Sequence, residues 1–435
     1  MPTRRRKKNI SLLISLLAAV VGESVSTLPR AVLATEREAD FLGEGDLSLA
    51  SVLAYAREHN PSIQAARERL LAAQARPVQV SALDDPVFTY EGFNIPENFA
   101  LARTDNNILK LSQKFPFPGK RRLRGEIATH EAAIAQEELR MVEVTTRTEV
   151  KKAYYNLWQG HQNLLVYSRD KELMVQFATV AEKKYAVGQV SQPEVLRAQV
   201  ELTRLINRVT TEALKLGEAR ATLDGLLSRS SEAPLGVPND TPNPIISHSF
   251  AELAELTVKA RPEIMARTAA IARDSAALAL AQKAYFPDFE VYVERFINGG
   301  RKDGVGLIVS ASIPLAYREK YDAGVAEARA QLNAGKADLR AAQDKALAEV
   351  KVALARVQTA AELMNLFVQT HIPQAEQALA SSRISYQTGQ LDFLSLIDSL
   401  RVVEQVHLEH LAAATDFEKA YADLERAVGQ ELPRR

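Results

Sequence analysis

The 435-residue chain has no cysteine and a single tryptophan. Without cysteine there are no disulfides, no thiolate metal sites and no lipid-bearing N-terminal Cys. Past the N-terminal leader no apolar run reaches the roughly eighteen residues of a spanning helix, so a helical membrane span is excluded. Charge of one sign is lacking too: 54 Lys and Arg balance 54 Asp and Glu, which gives no large basic patch and argues against nucleic acid as a partner. There is no Walker loop, no complete Gly-x-Gly-x-x-Gly and no His-Glu-x-x-His. Gly304-Val305-Gly306 is half a fingerprint and falls inside a strand, so it reads as structural. Neither an enzyme nor a cofactor is expected, and any work that needs energy has to be driven by a partner.

What the chain has is itself, twice. "YAVGQVSQPEVLRAQVEL" starts at Tyr185 and "YQTGQLDFLSLIDSLRVVE" at Tyr386, 201 residues later. Asn60-Pro61 answers Arg261-Pro262 at the same offset, Phe88 answers Phe289, and Leu223 answers Leu424. Only the middle slips: Gln113-Lys114-Phe115-Pro116 aligns with Ala311-Ser312-Ile313-Pro314 at 198, and Glu149-Val150-Lys151 with Glu349-Val350-Lys351 at 200. So large a period is a duplicated unit, not a solenoid of short repeats. The expected divisions are a cleaved signal peptide (1–34), a first repeat (35–227), a Pro-rich linker (228–248), a second repeat (249–429) and a tail (430–435). The leader "MPTRRRKKNISLLISLLAAVVG" has five basic residues before an apolar run of twelve, a secretory pattern. Its removal leaves 48 basic against 53 acidic residues.

Each repeat reads as helix, strand, strand, very long helix, turn, helix. Ser48 and Ser249 open the first helices, Ser249 forming a capping box with Glu252. "PVFTYEGF", "NILKLSQKF", "DFEVYVERF" and "GVGLIVSASIP" alternate with a period of two, one oily face and one mostly wet, and polar loops pair them into hairpins. The long helices run from about Gly119 to Val187 and from about Arg318 to Thr388, rods of roughly 100 Å at 1.5 Å per residue. In the second, an apolar row from Val325 to Val368 recurs about every 3.6 residues, the spacing of nearly straight helices packed side by side. Gly188 and Gly389 stand where a helix ends in a left-handed residue. Three residues on, Ser191 and Asp392 are N-caps for a new helix, with Glu194 at the capping-box position of Ser191. The repeated phrase is thus a helical hairpin tip.

Four half-oily strands cannot close a barrel, since about eight are needed, and open edges are not viable in lipid. A secreted chain of this kind fits an outer-membrane barrel pooled from several chains. At this point the chain resembles the TolC-type outer-membrane efflux channels. The resemblance rests on the duplicated hairpin plan, "LSQKFPFPGKR" (Leu111 to Arg121), both "Y-x-x-G-x-x-[S/D]" tips and the terminal "ADLERAVGQEL". The Phe-Pro-Phe-Pro-Gly-Lys stretch and Asp85-Pro86 are closest in look to its heavy-metal branch, the CusC and CzcC type. The resemblance implies a mainly α fold with a small β part: tandem long helical hairpins forming an α-barrel, and four strands per chain contributing to a twelve-stranded transmembrane β-barrel in a homotrimer. It further implies a periplasmic adaptor (membrane fusion protein), an inner-membrane pump of RND or ABC type, and outer-membrane lipid as partners, with a long periplasmic part.

By position relative to the tip glycines, the resemblance makes Tyr386 a linking tyrosine, Glu194 its acidic partner and Asp398 a ring carboxylate at the aperture. Ser395 stands where a second ring carboxylate is expected and Leu391 where a linking arginine is. Gly188, Gln189, Val190 and Ser191, with Gly389, Gln390, Leu391 and Asp392, form the tips that would meet the adaptor. Each also has a plainer reading: Tyr386 in helix packing, Glu194 as a cap, Asp398 as a solvated helix residue. "EQVHLEH" places Glu404, His407 and His410 at a spacing of three, a pattern that di-iron bundles use in pairs; a second such motif is missing, and no metal site is expected. The function implied is a passive exit duct for metal cations or small toxic compounds, with type I secretion or drug efflux as alternatives. A structural periplasmic coiled coil and a helical-bundle metalloenzyme are the readings from other classes.

Overall fold

A computed structural model describes residues 42–43, 45–95, 97, 106–298, 302–315 and 317–434. Residues 1–43 form one unit and residues 44–435 a second. The expected signal peptide lies outside the described residues. Every helix and strand among the described residues belongs to the second unit.

The first repeat contains α1 (Leu49–His59), α2 (Pro61–Ser81), β2 (Val87–Phe93), β3 (Asn106–Phe115), α3 (Lys120–Ala186) and α4 (Gln192–Leu227). The second contains α5 (Phe250–Ala260), α6 (Pro262–Lys283), β5 (Phe289–Asn298), β6 (Gly304–Ala311), α7 (Ala323–Leu366), α8 (Ile372–Gln387) and α9 (Phe393–Val428). Where one opening helix per repeat is expected, there are two. Asn60 and Arg261 each precede a proline and are pushed out of the helical region, to ψ 121° in both cases, as the steric clash with the proline ring requires. Asn60 then caps α2, its Oδ1 accepting from Ser62 N at 2.9 Å. Ser249 and Glu252 make the full capping box.

The second long helix is not one regular rod. π-Helical turns occupy Tyr317–Asp322 and Phe367–His371, whereas α3 runs 67 residues, about 100 Å, without a break. A π turn closes on the fifth residue and so takes up one extra residue. The repeat offset is 200 at Glu149/Glu349 and 201 at Tyr185/Tyr386, and the turn at 367–371 lies between these points. Pro373 comes two residues after its end and has no N–H to return to the preceding turn. The apolar row shows the break directly: Ala346, Val350, Ala353, Val357, Ala361 and Met364 are buried, but Val368 is thrown out to 53% exposure.

The four long strands form one antiparallel sheet in the order β2-β3-β5-β6. Its register aligns Phe88, Leu111, Val293 and Leu307 in one row across all four strands, and every member of the row is exposed. On the other face Lys110 faces Glu294 at 3.6 Å and lies over the Tyr292 ring. A short pair, β1 (Asp46–Leu47) with β4 (Val237–Pro238), ties the linker to the start of the first repeat; Leu49 N donates to Asp240 Oδ2 at 2.6 Å, and the Tyr154 hydroxyl sits 2.6 Å from the same oxygen.

Helix packing runs in a row, α4 on α3, α3 on α9, and α9 on α7 and α8. The tail closes against it. Arg434 is bonded to Glu418, while Glu425 takes Lys151 Nζ at 2.5 Å and Leu432 N at 3.2 Å. Gly429 makes this return possible. It sits at φ 91°, and a Cβ there would lie 2.6 Å from Arg261 Cα.

One group in α3 opposes the fold. Asp170 is 4% exposed and its Oδ2 has no hydrogen-bond partner. Burial raises its pKa from 3.8 to about 6, with Arg169 pulling weakly the other way. The folded chain therefore binds this proton more tightly than the unfolded chain, and stability falls as pH rises from about 4 through about 6. Asp170→Asn is expected to flatten that slope and to stabilise the protein at pH 7 by about 1–3 kcal/mol, measured by denaturant unfolding across this pH range.

Candidate functional site

Both tips turn as the glycines dictate. Gly188 and Gly389 have φ of 72° and 78°, the left-handed region that side chains resist, and Gln189 N and Gln390 N each return a 2.9 Å hydrogen bond to the residue five positions earlier. Gly188, Gln189, Ser191, Gly389, Gln390 and Asp392 are solvent-facing, with Val190 and Leu391 partly covered. Asp392 caps α9 as expected, accepting from Ser395 N at 3.2 Å; the Ser395 side chain and backbone N–H hold its carboxyl below the usual range. Ser191 does not cap with its side chain. Pro193 offers no N–H, and Glu194 N is taken by the Ser191 carbonyl at 3.1 Å.

The twin tyrosines have parted roles. Tyr386 is 3% exposed and Tyr185 47%. Tyr386 packs with Met174, Phe177, Ala181, Ala198, Phe393 and Leu396, a core built from both hairpins of one chain. Its hydroxyl makes no hydrogen bond; burial, and after it the nearby charge of Glu194, push its pKa up to about 12. The firm tie is through the backbone: Lys184 Nζ donates to the Tyr386 carbonyl at 2.6 Å and lies 4.4 Å from the ring centroid. Ser385 replaces this lysine in the second repeat, so the clamp exists once.

Asp398 is exposed and faces Arg401 at 3.2 Å. Arg401 also reaches Glu201 on α4 at 2.7 Å, and Glu201 takes Arg204 at 3.0 Å. One turn on, buried Glu404 is bonded to Arg208 and lies 4.0 Å from Arg204. Burial pushes the Glu201 carboxyl up, but Arg401 and the neighbouring arginines outweigh it and hold the pKa below the usual value. Carboxylates and guanidinium groups thus alternate between α4 and α9 directly behind Asp398. Ser395 is partly covered, and both its side chain and its backbone N–H are turned to Asp392.

The Glu404, His407 and His410 trio does not assemble. Glu404 is held by arginines, His407 Nε2 faces Glu376 Oε1 on α8 at 3.2 Å, and the His410 ring packs near Phe367. Among the described residues no three such side chains are arranged to hold a metal ion. Spacing alone shows that residues share a helix face, not what lies opposite. The arginines at 204 and 208 supply that answer, and their spacing of four on α4 is the signal that sequence reasoning passed over.

The two carboxylates differ in what they hold. Arg208→Ala removes the main partner of a buried charge, and is expected to cost about 3 kcal/mol. Asp398→Ala, at an exposed pair, should change stability by less than about 1 kcal/mol. Chemical denaturation of both variants in detergent checks the contrast.

Comparison with known proteins agrees with this geometry. The chain is 20% identical over 390 residues to the cobalt-zinc-cadmium resistance protein CzcC of Cupriavidus metallidurans, covering 89% of this chain and 91% of that one. Its fold matches the outer membrane protein VceC of Vibrio cholerae with a TM-score of 0.73 at 19% identity, over 88% of this chain and 96% of VceC. It also matches CusC, described as forming a transmembrane channel, with a TM-score of 0.75 at 17% identity, over 94% and 100%. The profile of the family described as "Outer membrane efflux protein" matches twice, at residues 52–229 and 253–430, two segments displaced by 201 residues at both ends. The chain therefore belongs to the outer membrane efflux protein family.

Proposed function

We propose that three copies of this chain form a passive duct across the outer membrane and periplasm, through which an inner-membrane pump and a periplasmic adaptor discharge cargo. Family membership places the protein in the outer membrane with its long helices in the periplasm. The observation that carries the duct is that both halves of the molecule stop short of closure. Among the described residues the sheet ends in free edges at β2 and β6, with an exposed apolar row across it. Lipid tolerates no unpaired edge, and four strands from each of three chains give a closed barrel of twelve. The helical row likewise ends at α4, which exposes Leu196, Val200 and Leu214, and at α7 and α8, which expose Val352, Leu363 and Ile384. Joining α4 of one copy to α7 and α8 of the next is a head-to-tail contact, the kind that closes into a ring.

Cargo is proposed to be heavy-metal cations, in keeping with the resistance that CzcC is named for. The solvent-facing tips, Gly188 to Ser191 and Gly389 to Asp392, are the proposed adaptor contacts. At the aperture, Asp398, Tyr386, Glu194 and Ser395 are proposed to line or brace the gate. A ring of three Asp398 carboxylates favours cations, and each is partly offset by its own Arg401.

In planar bilayers the wild type is expected to conduct with cation selectivity. Asp398→Ala should lower that selectivity and Arg401→Ala should raise it. Unchanged reversal potentials in both variants would remove this pair from the gate. A monomer that stays in aqueous solution without detergent would overturn the duct itself and return the protein to the structural coiled-coil class.

A further inference from the structure

The motif Phe115-Pro116-Phe117-Pro118-Gly119-Lys120 is not used by the gate or the tips, and the structure shows what it builds. It leads out of β3 into α3, at the helix-side end of the sheet. There Phe117 stacks on Phe286 of the second repeat, with ring centroids 4.5 Å apart. Phe117 N donates to Asp288 Oδ1 at 2.7 Å, and Lys120 Nζ bonds the same oxygen at 2.8 Å and the Phe286 carbonyl at 2.9 Å. The two repeats are thus joined at one aromatic pair.

A cation stands over that pair. Lys283 Nζ lies 5.5 Å from the Phe117 ring centroid and 5.2 Å from that of Phe286, and it forms no carboxylate ion pair among the described residues. Arg121, next to Lys120, spends its Nε on the Ser81 carbonyl at 2.8 Å. Arg124 lies exposed one turn into α3, near enough to Asp288 to help hold that carboxyl below its usual range. Of the carboxylates at hand, Asp288 is bonded to Lys120, Glu126 to Arg122 and Asp322 to the Tyr285 hydroxyl; Asp84 and Asp85 lie exposed just before β2. Four cations therefore gather around one neutralised carboxylate and two phenyl rings. At the positions 201 residues before Tyr285 and Phe286 stand Asp84 and Asp85, so the arrangement is not repeated in the other half of the chain.

We propose that Phe117, Phe286, Lys283, Arg121 and Arg124 seat the headgroup of an anionic phospholipid of the periplasmic leaflet. The position comes from the fold. In the proposed duct, on which this inference rests, the strands lie in the outer membrane and the helices in the periplasm, so the strand-to-helix junction is at headgroup depth on the periplasmic side. The surface is continuous with the lipid-facing apolar row, through Phe115 and Phe289, which pair in the last rung of the sheet and are both exposed. Aromatic rings settle at this depth, and basic groups beside them attract anionic headgroups. Here the rings hold a cation that has no carboxylate ion pair among the described residues.

The test uses the full-length protein in nanodiscs of phosphatidylcholine, with or without phosphatidylglycerol at a third of the lipid, and then quantifies the lipid that co-purifies after detergent extraction. Wild type is expected to enrich phosphatidylglycerol over the bulk ratio and to unfold at higher temperature when it is present. Lys283→Gln with Arg124→Gln should reduce the enrichment by about fivefold or more per cation removed, and Lys283→Arg with Arg124→Lys should keep it. No enrichment by wild type, or equal enrichment by the Gln variant, overturns the proposal. So does an equal stabilisation by inorganic phosphate in detergent, which would make the site one for the free anion. Bilayer conductance of the Gln variant keeps the two readings apart, since the duct is expected to conduct whether or not the headgroup binds.

Discussion

The structure depends on backbone hydrogen-bonding groups that a single chain cannot satisfy. Among the described residues β2 and β6 each present one unpaired edge, and the sheet between them leaves its apolar row exposed. In water such edges are a hazard and in hydrocarbon they are untenable. Everything else in the chain is compatible with this debt being met by neighbours: hairpins of matched register, a helical row with two unpartnered ends, and a duplication that makes those ends alike enough to meet.

The tips and the interior show how duplication is turned to separate uses. Tyr185 and Tyr386 descend from one position, yet one is exposed and the other sits in a core shared by both hairpins. Lys184 grips the second tip and has only Ser385 as its counterpart. Glu201 and Glu404 are buried in a ladder of arginines whose members come from both repeats. The halves are therefore held to each other inside one chain by directional contacts, while the outer ends of the row carry exposed apolar side chains such as Leu196, Val200 and Val352 among polar ones.

Much of this is legible in the amino-acid order. Period-two strands, glycine-terminated rods and the 201-residue offset require only local rules, and the hairpins and tips fall where those rules put them. Three features escape for physical reasons. The split of each opening helix depends on the steric effect of Pro61 and Pro262 on the residue before, a signal that is visible in the aligned pairs but carries no apolar break with it. The π turn at 367–371 is a change in backbone closure that leaves composition untouched; its trace is the slip of one residue between the copies. The arginine ladder cannot be read because a buried Glu and a ligand Glu look alike along one helix, and only the facing helix distinguishes them. Glu404 belongs to the first kind. Ser191 misleads differently, since its position is that of a cap but Pro193 withholds the proton that a cap would bind.

The extra residue held in the second long helix has a consequence for any closed ring of these chains. Were the two halves identical, six equivalent staves would share a single kind of joint, and any substitution would be felt six times around the circumference. The bulge at 367–371 shifts the phase of one stave in every two. Two kinds of joint then alternate, one inside each chain and one between chains, and each can be strengthened or loosened by mutation while the other is left alone.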